Sequence, residues 1–596
     1  MGDVANVIRN AKSSKALGPD GISMVMLKQL DTPGVEYLTK VLNLSLATHI
    51  VPEAWKMGRV VPLLKPGKDA SKGESYRPIS LLSPVAKTLE ALLLPSIRGS
   101  YSVANHQHGF RPLHSTTTAL HSISTHISRG LNQNRPCHRT VVVALDLSKA
   151  IDTVNHATLF EDVENTTLRP SLKRWIVNYM CGRQSYVEFR NKKSKPRRVK
   201  QGVPQGGVIS PELFNLYLSG IPRPPDGIEI VTYADDCTIM ASGPVVDDIC
   251  VRVNNYLAEL AAFFHARNMK ISATKSTATL FTTWTAEMRT QLNVQVEGHI
   301  IPTINYPKIL GVTFDSMIKS SAQATAICDK MKSRNKVLKA LAGSTWGADK
   351  ETLLTSYKAI GRSVVSYAAP VWSANTSATQ WKCIQTCQNA ALRTAIGCLL
   401  MTPVDHLHEE TKVLPLRQHN HMLSLQYLLG CYRGSHPNHH MVDRTPPPRR
   451  VRKDLHDLER EVQRYKREPL DHEAYQAGLN SIHTDAVAEV VNNYSMNAIL
   501  GVHPPSIAAE ERRLPRQTRV VLAQLRSGWC SRLNSYWARI DEDVRNACPA
   551  CDTGPHNTLH LFNCPAKPTQ LRPEDLWLQP IKVAEFLNLD IEEEPD

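Results

Sequence analysis

Ile230-Val-Thr-Tyr-Ala-Asp-Asp-Cys-Thr-Ile-Met240 reads as two apolar β-runs meeting at adjacent carboxylates, Asp235 and Asp236. Asp is depleted from strands, and like charges side by side repel. One explanation is a surface hairpin whose turn happens to hold Asp-Asp, since Asp favours turns. A second acidic position upstream points elsewhere. Val141-Val-Val-Ala-Leu-Asp-Leu-Ser-Lys-Ala-Ile-Asp152 opens as a buried-strand run and puts Asp146 where that strand should end. If the two strand ends are neighbours in one sheet, Asp146, Asp235 and Asp236 converge. Three carboxylates repel unless cations lie between them, and hard oxygen ligands suit magnesium.

Working outward, strand signals dominate at 140–147, 185–189, 227–240 and 278–281, with helical stretches at 211–218 and 245–267 between them. Strands separated by helices of this length predict an α/β or α+β sheet domain. From 317 to 402 apolar residues recur at three- and four-residue spacing, which predicts helices throughout. A Pro-rich basic stretch, 444–453, reads as a linker, and Leu455, Leu458, Val462 and Tyr465 as one stripe of a charged helix after it. The 596 residues carry a formal charge of +15, which favours a polyanionic partner, nucleic acid first. No secretory signal opens the chain and no apolar run is long enough to span a bilayer, so no membrane partner and an intracellular setting with mostly reduced cysteines are expected.

Three stretches in order, Ala144-Leu-Asp-Leu-Ser-Lys-Ala-Ile-Asp-Thr-Val-Asn-His156, Gln201-Gly-Val-Pro-Gln-Gly-Gly-Val-Ile-Ser-Pro-Glu-Leu-Phe-Asn-Leu-Tyr217 and Tyr233-Ala-Asp-Asp236, resemble the palm motifs of reverse transcriptases of non-LTR (LINE-type) retrotransposons, in particular the jockey-like group. The resemblance runs along nearly the whole chain. Lys12-Ser-Ser-Lys-Ala-Leu-Gly-Pro-Asp-Gly-Ile22 resembles the motif that opens the family's polymerase, and Ser75-Tyr-Arg-Pro-Ile-Ser-Leu-Leu82 and Gln107-His-Gly-Phe-Arg111 its fingers motifs. Asn268-Met-Lys-Ile-Ser-Ala-Thr-Lys-Ser276 is similar to its palm lysine motif and Tyr306-Pro-Lys-Ile-Leu-Gly-Val312 to its primer grip. Thr345-Trp-Gly-Ala348, Ser366-Tyr-Ala-Ala-Pro-Val-Trp372 and Gln388-Asn-Ala-Ala-Leu-Arg393 resemble its thumb.

The resemblance implies an α+β right-hand polymerase of fingers, palm and thumb, followed by a helical region and a small zinc-knuckle module. Fingers and palm would occupy 1–295, primer grip and thumb 296–420, a basic, partly helical linker 421–520, the knuckle region 521–570 and an acidic tail 571–596. It implies extension of a DNA primer or target 3′-hydroxyl with dNTPs on an RNA template, as part of retrotransposition, within a ribonucleoprotein of nucleus and cytoplasm. Asp146, Asp235 and Asp236 would be catalytic ligands of two Mg2+ ions, with Mn2+ as an alternative, and the backbone carbonyl of Leu147 a further contact. Gln205 and Gly206 match the loop that faces the nascent base pair; Lys65, Arg77 and Arg111 match cations for the triphosphate. Lys275 matches a lysine that protonates pyrophosphate. Ile151 stands where the family has an aromatic sugar gate, a departure that touches sugar discrimination, and His108 is a milder departure. Family members usually carry an endonuclease ahead of the polymerase, whereas this sequence begins at the opening motif.

Two further features come from the residues themselves. Ser185 to Lys200 reads as a hairpin with a basic return strand leading into the Gln205 loop, so Lys192, Lys193, Lys195, Arg197, Arg198 and Lys200 are candidates for template phosphates rather than a merely solvated tip. Cys548-Pro-Ala-Cys551, His560 and Cys564 follow the spacing C-x2-C-x8-H-x3-C of a structural zinc site, with His556 as a competing ligand. The runner-up reading is a catalytically inactive or domesticated relative that only binds RNA.

Overall fold

The computed structural model describes residues 1–133, 136–343, 346–442 and 453–591, the last stretch without the side chains of 453–456. The linker expected at 444–453 falls almost wholly outside the described residues, as do Thr345 and the end of the acidic tail. The chain divides into two compact units, Met1–Leu310 and Gly311–Asp596, and the division falls inside the stretch that resembles a primer grip.

The first unit is α+β and holds two sheets. One is built from β1 (Met57–Leu64), β2 (Tyr76–Leu81), β4 (Gln184–Phe189), β5 (Lys192–Lys193) and β6 (Arg197–Arg198), in the order β2-β1-β4-β5 with β6 also on β4. The other joins β3 (Arg139–Leu145), β7 (Ile228–Tyr233), β8 (Asp236–Gly243) and β9 (Thr277–Phe281) in the order β7-β8-β3-β9, antiparallel throughout.

The unbroken apolar run of β3 follows from burial on both faces. Val141, Val143 and Leu145 share a core with Ile239 and Ala241 of β8 and with Ile249, Val253 and Leu257 of the helix Val246–Ala266. On the opposite face Val142 and Met240 are equally buried, and the helix Thr116–Leu131 meets the sheet there. Its Gly130 lies so close to Thr140 and Ser242 that any Cβ would collide with their hydroxyls.

The second unit is helical where its periodicity predicts, with Ser321–Leu341 packed against Ala378–Ile396. In and beside the stretch expected as a basic, partly helical linker, 421–520, the helices Leu416–Cys431, Lys453–Val462 and His472–Asn492 share a core of Met422, Leu425, Leu429, Leu458, Val462 and Ile482. Within the expected acidic tail, 571–596, Asp575–Leu578 and Pro580–Phe586 are helices that bury Leu576, Trp577, Val583 and Ala584 against Leu522 and Leu525 of the helix Arg516–Arg526. Short apolar stretches spaced by charges hid both cores, since each stretch finds its partners far away in sequence.

That C-terminal core is tied down by a fully buried guanidinium. Arg526 Nη1 donates to Glu410 Oε1 at 3.0 Å, Nη2 to Glu511, and Nε and Nη2 to the carbonyl of Leu576. Lys350 completes the network at 2.8 Å from Glu410. Burial alone would raise the Glu410 carboxyl, but Lys350 and Arg526 outweigh it and hold the group below the usual carboxylate range.

Candidate active site

The paired carboxylates sit at a hairpin. Tyr233 and Asp236 close the β7–β8 ladder, leaving Ala234 and Asp235 as a two-residue turn with Ala234 at φ +57°. A left-handed φ is uncommon for a residue with a Cβ and has to be imposed by its surroundings. Next to this turn runs β3, whose Leu145 pairs with Cys237, so one step further Asp146 comes opposite Asp236. The three carboxylates that the sequence placed at strand ends are therefore neighbours at one end of one sheet.

Their electrostatics reflect the crowding. Burial, then the charge of Asp146, pushes the Asp235 carboxyl up, with Arg77 opposing. Asp236 is pushed up to about 6, by burial first and then by Asp235 and Asp146. Asp236 keeps an open face to solvent, which weakens the burial part of that shift and leaves mutual repulsion as the firmer cause. A cation between these oxygens relieves that repulsion, and an all-oxygen set is the donor chemistry of magnesium or manganese.

The lysine stretch runs alongside Asp146. Ser272 N donates to the Asp146 carbonyl at 2.9 Å, Asp146 N to Ser276 Oγ at 3.1 Å, and Leu147 bridges to Ile271. Lys275 Nζ thereby lies 4.0 Å from Asp146 Oδ2. Both side chains are well exposed, so the pair itself contributes little, at most about 1 kcal/mol.

The Gln205 loop is held from three sides. Gln205 accepts from Ser80 N of β2 at 2.9 Å through its carbonyl and donates from Nε2 to Asp152 Oδ1 at 2.7 Å. Val203 N donates to the Ile151 carbonyl at 3.0 Å, and the Ile151 side chain is half-buried against the main core. Glu90, fully buried, accepts through Oε2 from Val208 N at 2.6 Å and Ile209 N at 3.1 Å. Gly206, at φ +126°, is pressed so close to the Ser80 carbonyl that a Cβ would collide with it. Neither Glu90 nor Asp152 was singled out from the sequence, because their partners lie 118 and 53 positions away.

Other expected residues are placed less directly. Arg77 lies on β2, near enough to act on Asp235. Lys65, just beyond β1, donates Nζ to the Glu74 carbonyl at 3.0 Å. Arg111 instead braces its own loop: Nη1 donates to the carbonyls of Ala104 and Gln107, both at 2.9 Å. Lys192, Lys193, Lys195, Arg197, Arg198 and Lys200 are all exposed on the hairpin of β4, β5 and β6. In the second unit Cys548, Cys551, His560 and Cys564 gather with one ligand atom each, all within 4.8 Å of one another. Cys548 Sγ lies 3.8 Å from Cys564 Sγ and Cys551 Sγ 3.1 Å from His560 Nε2, whereas His556 Nδ1 accepts from Asn534 N. Hydrogen bonds from Thr553 draw the Cys551 thiol down to about 6, toward the thiolate a metal binds.

Residues 65–314 match the family described as reverse transcriptase (RNA-dependent DNA polymerase). The "Probable RNA-directed DNA polymerase from transposon X-element" of Drosophila melanogaster is 28% identical over 457 residues, covering 75% of this chain and 49% of that protein. The "RNA-directed DNA polymerase from mobile element jockey" of Drosophila funebris is 26% identical over 452 residues, 72% of this chain and 48% of that one. Among solved structures, telomerase from Candida Tropicalis bound to the TWJ fragment of telomeric RNA aligns with 76% of this chain and 68% of its own, at 11% identity and a TM-score of 0.35, too loose to carry an argument. By these matches the chain is similar to reverse transcriptases of non-LTR retrotransposons. It spans about half the length of the curated relatives it matches. Among the described residues no helix is long and apolar enough to cross a membrane.

Proposed function

We propose that this chain is an RNA-directed DNA polymerase that extends a DNA 3′-hydroxyl with dNTPs on an RNA template during retrotransposition. The observation that carries the reading is the convergence of Asp146, Asp235 and Asp236 at one sheet end, with mutual repulsion that invites cations. These carboxylates and the Leu147 carbonyl would hold two Mg2+ ions, or Mn2+, which when bound supply the positive charge that favours a 3′-oxyanion and a leaving pyrophosphate. Lys275, beside Asp146, is the proton donor to pyrophosphate. Arg77 and Lys65 receive the triphosphate, while Arg111 serves by bracing its loop. Gln205 and Gly206, fixed to Ser80 and Asp152, back the templating base, and Ile151 beneath them meets the sugar.

The exposed cations from Lys192 to Lys200 hold template phosphates. Fingers and palm lie within 1–295 and the primer grip and thumb within 296–420. Cys548, Cys551, His560 and Cys564 would hold a structural Zn2+ in a nucleic-acid-binding knuckle that takes no part in the chemistry. The enzyme works intracellularly, in nucleus and cytoplasm, as a ribonucleoprotein. The test is templated extension of a DNA primer on RNA with Mg2+ and dNTPs. Folded protein that binds the template but adds no nucleotide would favour the inactive RNA-binding relative instead.

A further inference from the structure

Gln107 is buried, 4% exposed, and lies behind the turn that carries the paired carboxylates. Its segment is stitched to β7: His108 N donates to the Thr232 carbonyl and Thr232 N to the His106 carbonyl, both at 2.8 Å. Its side-chain Oε1 accepts from Gly109 N at 2.8 Å and from Ala234 N at 3.3 Å. Two N–H groups facing one end of the amide fix that end as the oxygen. The other end, Nε2, is buried with no hydrogen-bond partner among the described residues. An orphaned buried donor is costly, so the amide is kept for its acceptor end. Gly109 adds a steric wall, since a Cβ there would collide with the backbone nitrogen of Ala234. Asn215, itself buried, holds that wall in place by donating to the Gly109 carbonyl at 3.0 Å. The bracing reaches the turn through its backbone. It acts on the one residue of the turn whose backbone is strained, Ala234 at φ +57°.

We infer that Gln107 is a positioning residue: by accepting from Ala234 N it holds the left-handed turn that aims Asp235 at Asp146 and so sets the affinity of the carboxylates for divalent cations. The inference rests on the proposed metal-dependent polymerase reading. A turn released by even about 1 Å is expected to lower turnover by roughly 10- to 100-fold. Gln107→Met keeps the length and loses the acceptor, whereas Gln107→Glu keeps an acceptor at the same reach.

The test counts free Mn2+ by electron paramagnetic resonance over the full chain, first supplied with one equivalent of Zn2+ to fill the cysteine-histidine cluster. Wild type should hold Mn2+ more tightly than Asp235→Asn. Gln107→Met should bind at least about fivefold more weakly than wild type, and Gln107→Glu within about threefold of it. In primer extension Gln107→Met should lose kcat while its KM for dNTP stays within about threefold. A merely structural residue would lower the active fraction and leave the Mn2+ affinity of the folded molecules alone. Should Gln107→Met fail to fold, Gln107→Asn, too short to reach Ala234 N, carries the same expectation. Unchanged Mn2+ affinity in a folded variant, or no difference between wild type and Asp235→Asn, overturns the inference. Weakened Mn2+ binding in a chain whose wild type never extends a primer would sustain the inference and sink the polymerase reading.

Discussion

Ile151 stands where the resemblance leads to the expectation of an aromatic ring; its side chain is half-buried against the core, and its carbonyl accepts from Val203 N of the Gln205 loop. A branched aliphatic group presents no flat edge to a ribose 2′-hydroxyl, so ribonucleotides should be excluded less strictly. Ile151→Phe is expected to sharpen the preference for dNTPs by on the order of 1–3 kcal/mol, roughly ten- to two-hundredfold in the ratio of kcat/KM values. Single-nucleotide incorporation of dNTP against rNTP on one primer-template measures it, and equal selectivity in the two proteins would assign the gate to another residue. Side chains of this kind divide sharply in how readable they are. Asp146, Asp235 and Asp236 could be picked out because an acid at the end of an apolar run has no packing reason to be there. Gln107 and Glu90 could not, since a lone Gln or Glu acquires meaning only from the backbone N–H groups that folding brings to it, Ala234 in one case and Val208 and Ile209 in the other.

Strands and long helices were legible for a physical reason: β3 and β8 are buried on both faces and keep apolar runs, while Val246–Ala266 keeps one apolar stripe. The C-terminal core was not, because its stability leans on a buried charge network that no local pattern announces. Removing Arg526 leaves Glu410 and Glu511 buried and short of their partner. Arg526→Met should therefore cost about 3–5 kcal/mol, read as a lower urea midpoint or Tm of the second unit. Glu410, held below the ordinary carboxylate value of about 4.3, contributes stability that is complete above that pH and is lost as pH falls towards its folded value. Stability should thus decline below about pH 4 in wild type and decline less in Arg526→Met; parallel pH profiles would contradict the network. The cysteine-histidine loop belongs to the same core, since Thr558 donates to the Leu525 carbonyl and Phe562 is buried among its leucines. One zinc per chain is expected by metal analysis, lost in both Cys548→Ser and Cys564→Ser. Full retention by both variants would place the ligands elsewhere.

Across the chain, a charge of +15, an exposed basic hairpin and a carboxylate cluster at a sheet end are the features that support the proposed binding of polyanions beside divalent cations. The charge and the order of the stretches could be read directly; the cores around Leu429 and Leu458 and around Leu522 and Trp577 could not, because those contacts are long-range. What everything else depends on is that Asp235 acts through its charge rather than its shape. Asp235→Asn preserves the side chain's size and removes that charge, so primer extension on an RNA template with Mg2+ and dNTPs should fall by at least about a thousandfold, roughly 4 kcal/mol, while RNA binding stays near the wild-type level. Extension by Asp235→Asn at a rate comparable with wild type would contradict the assignment of the site.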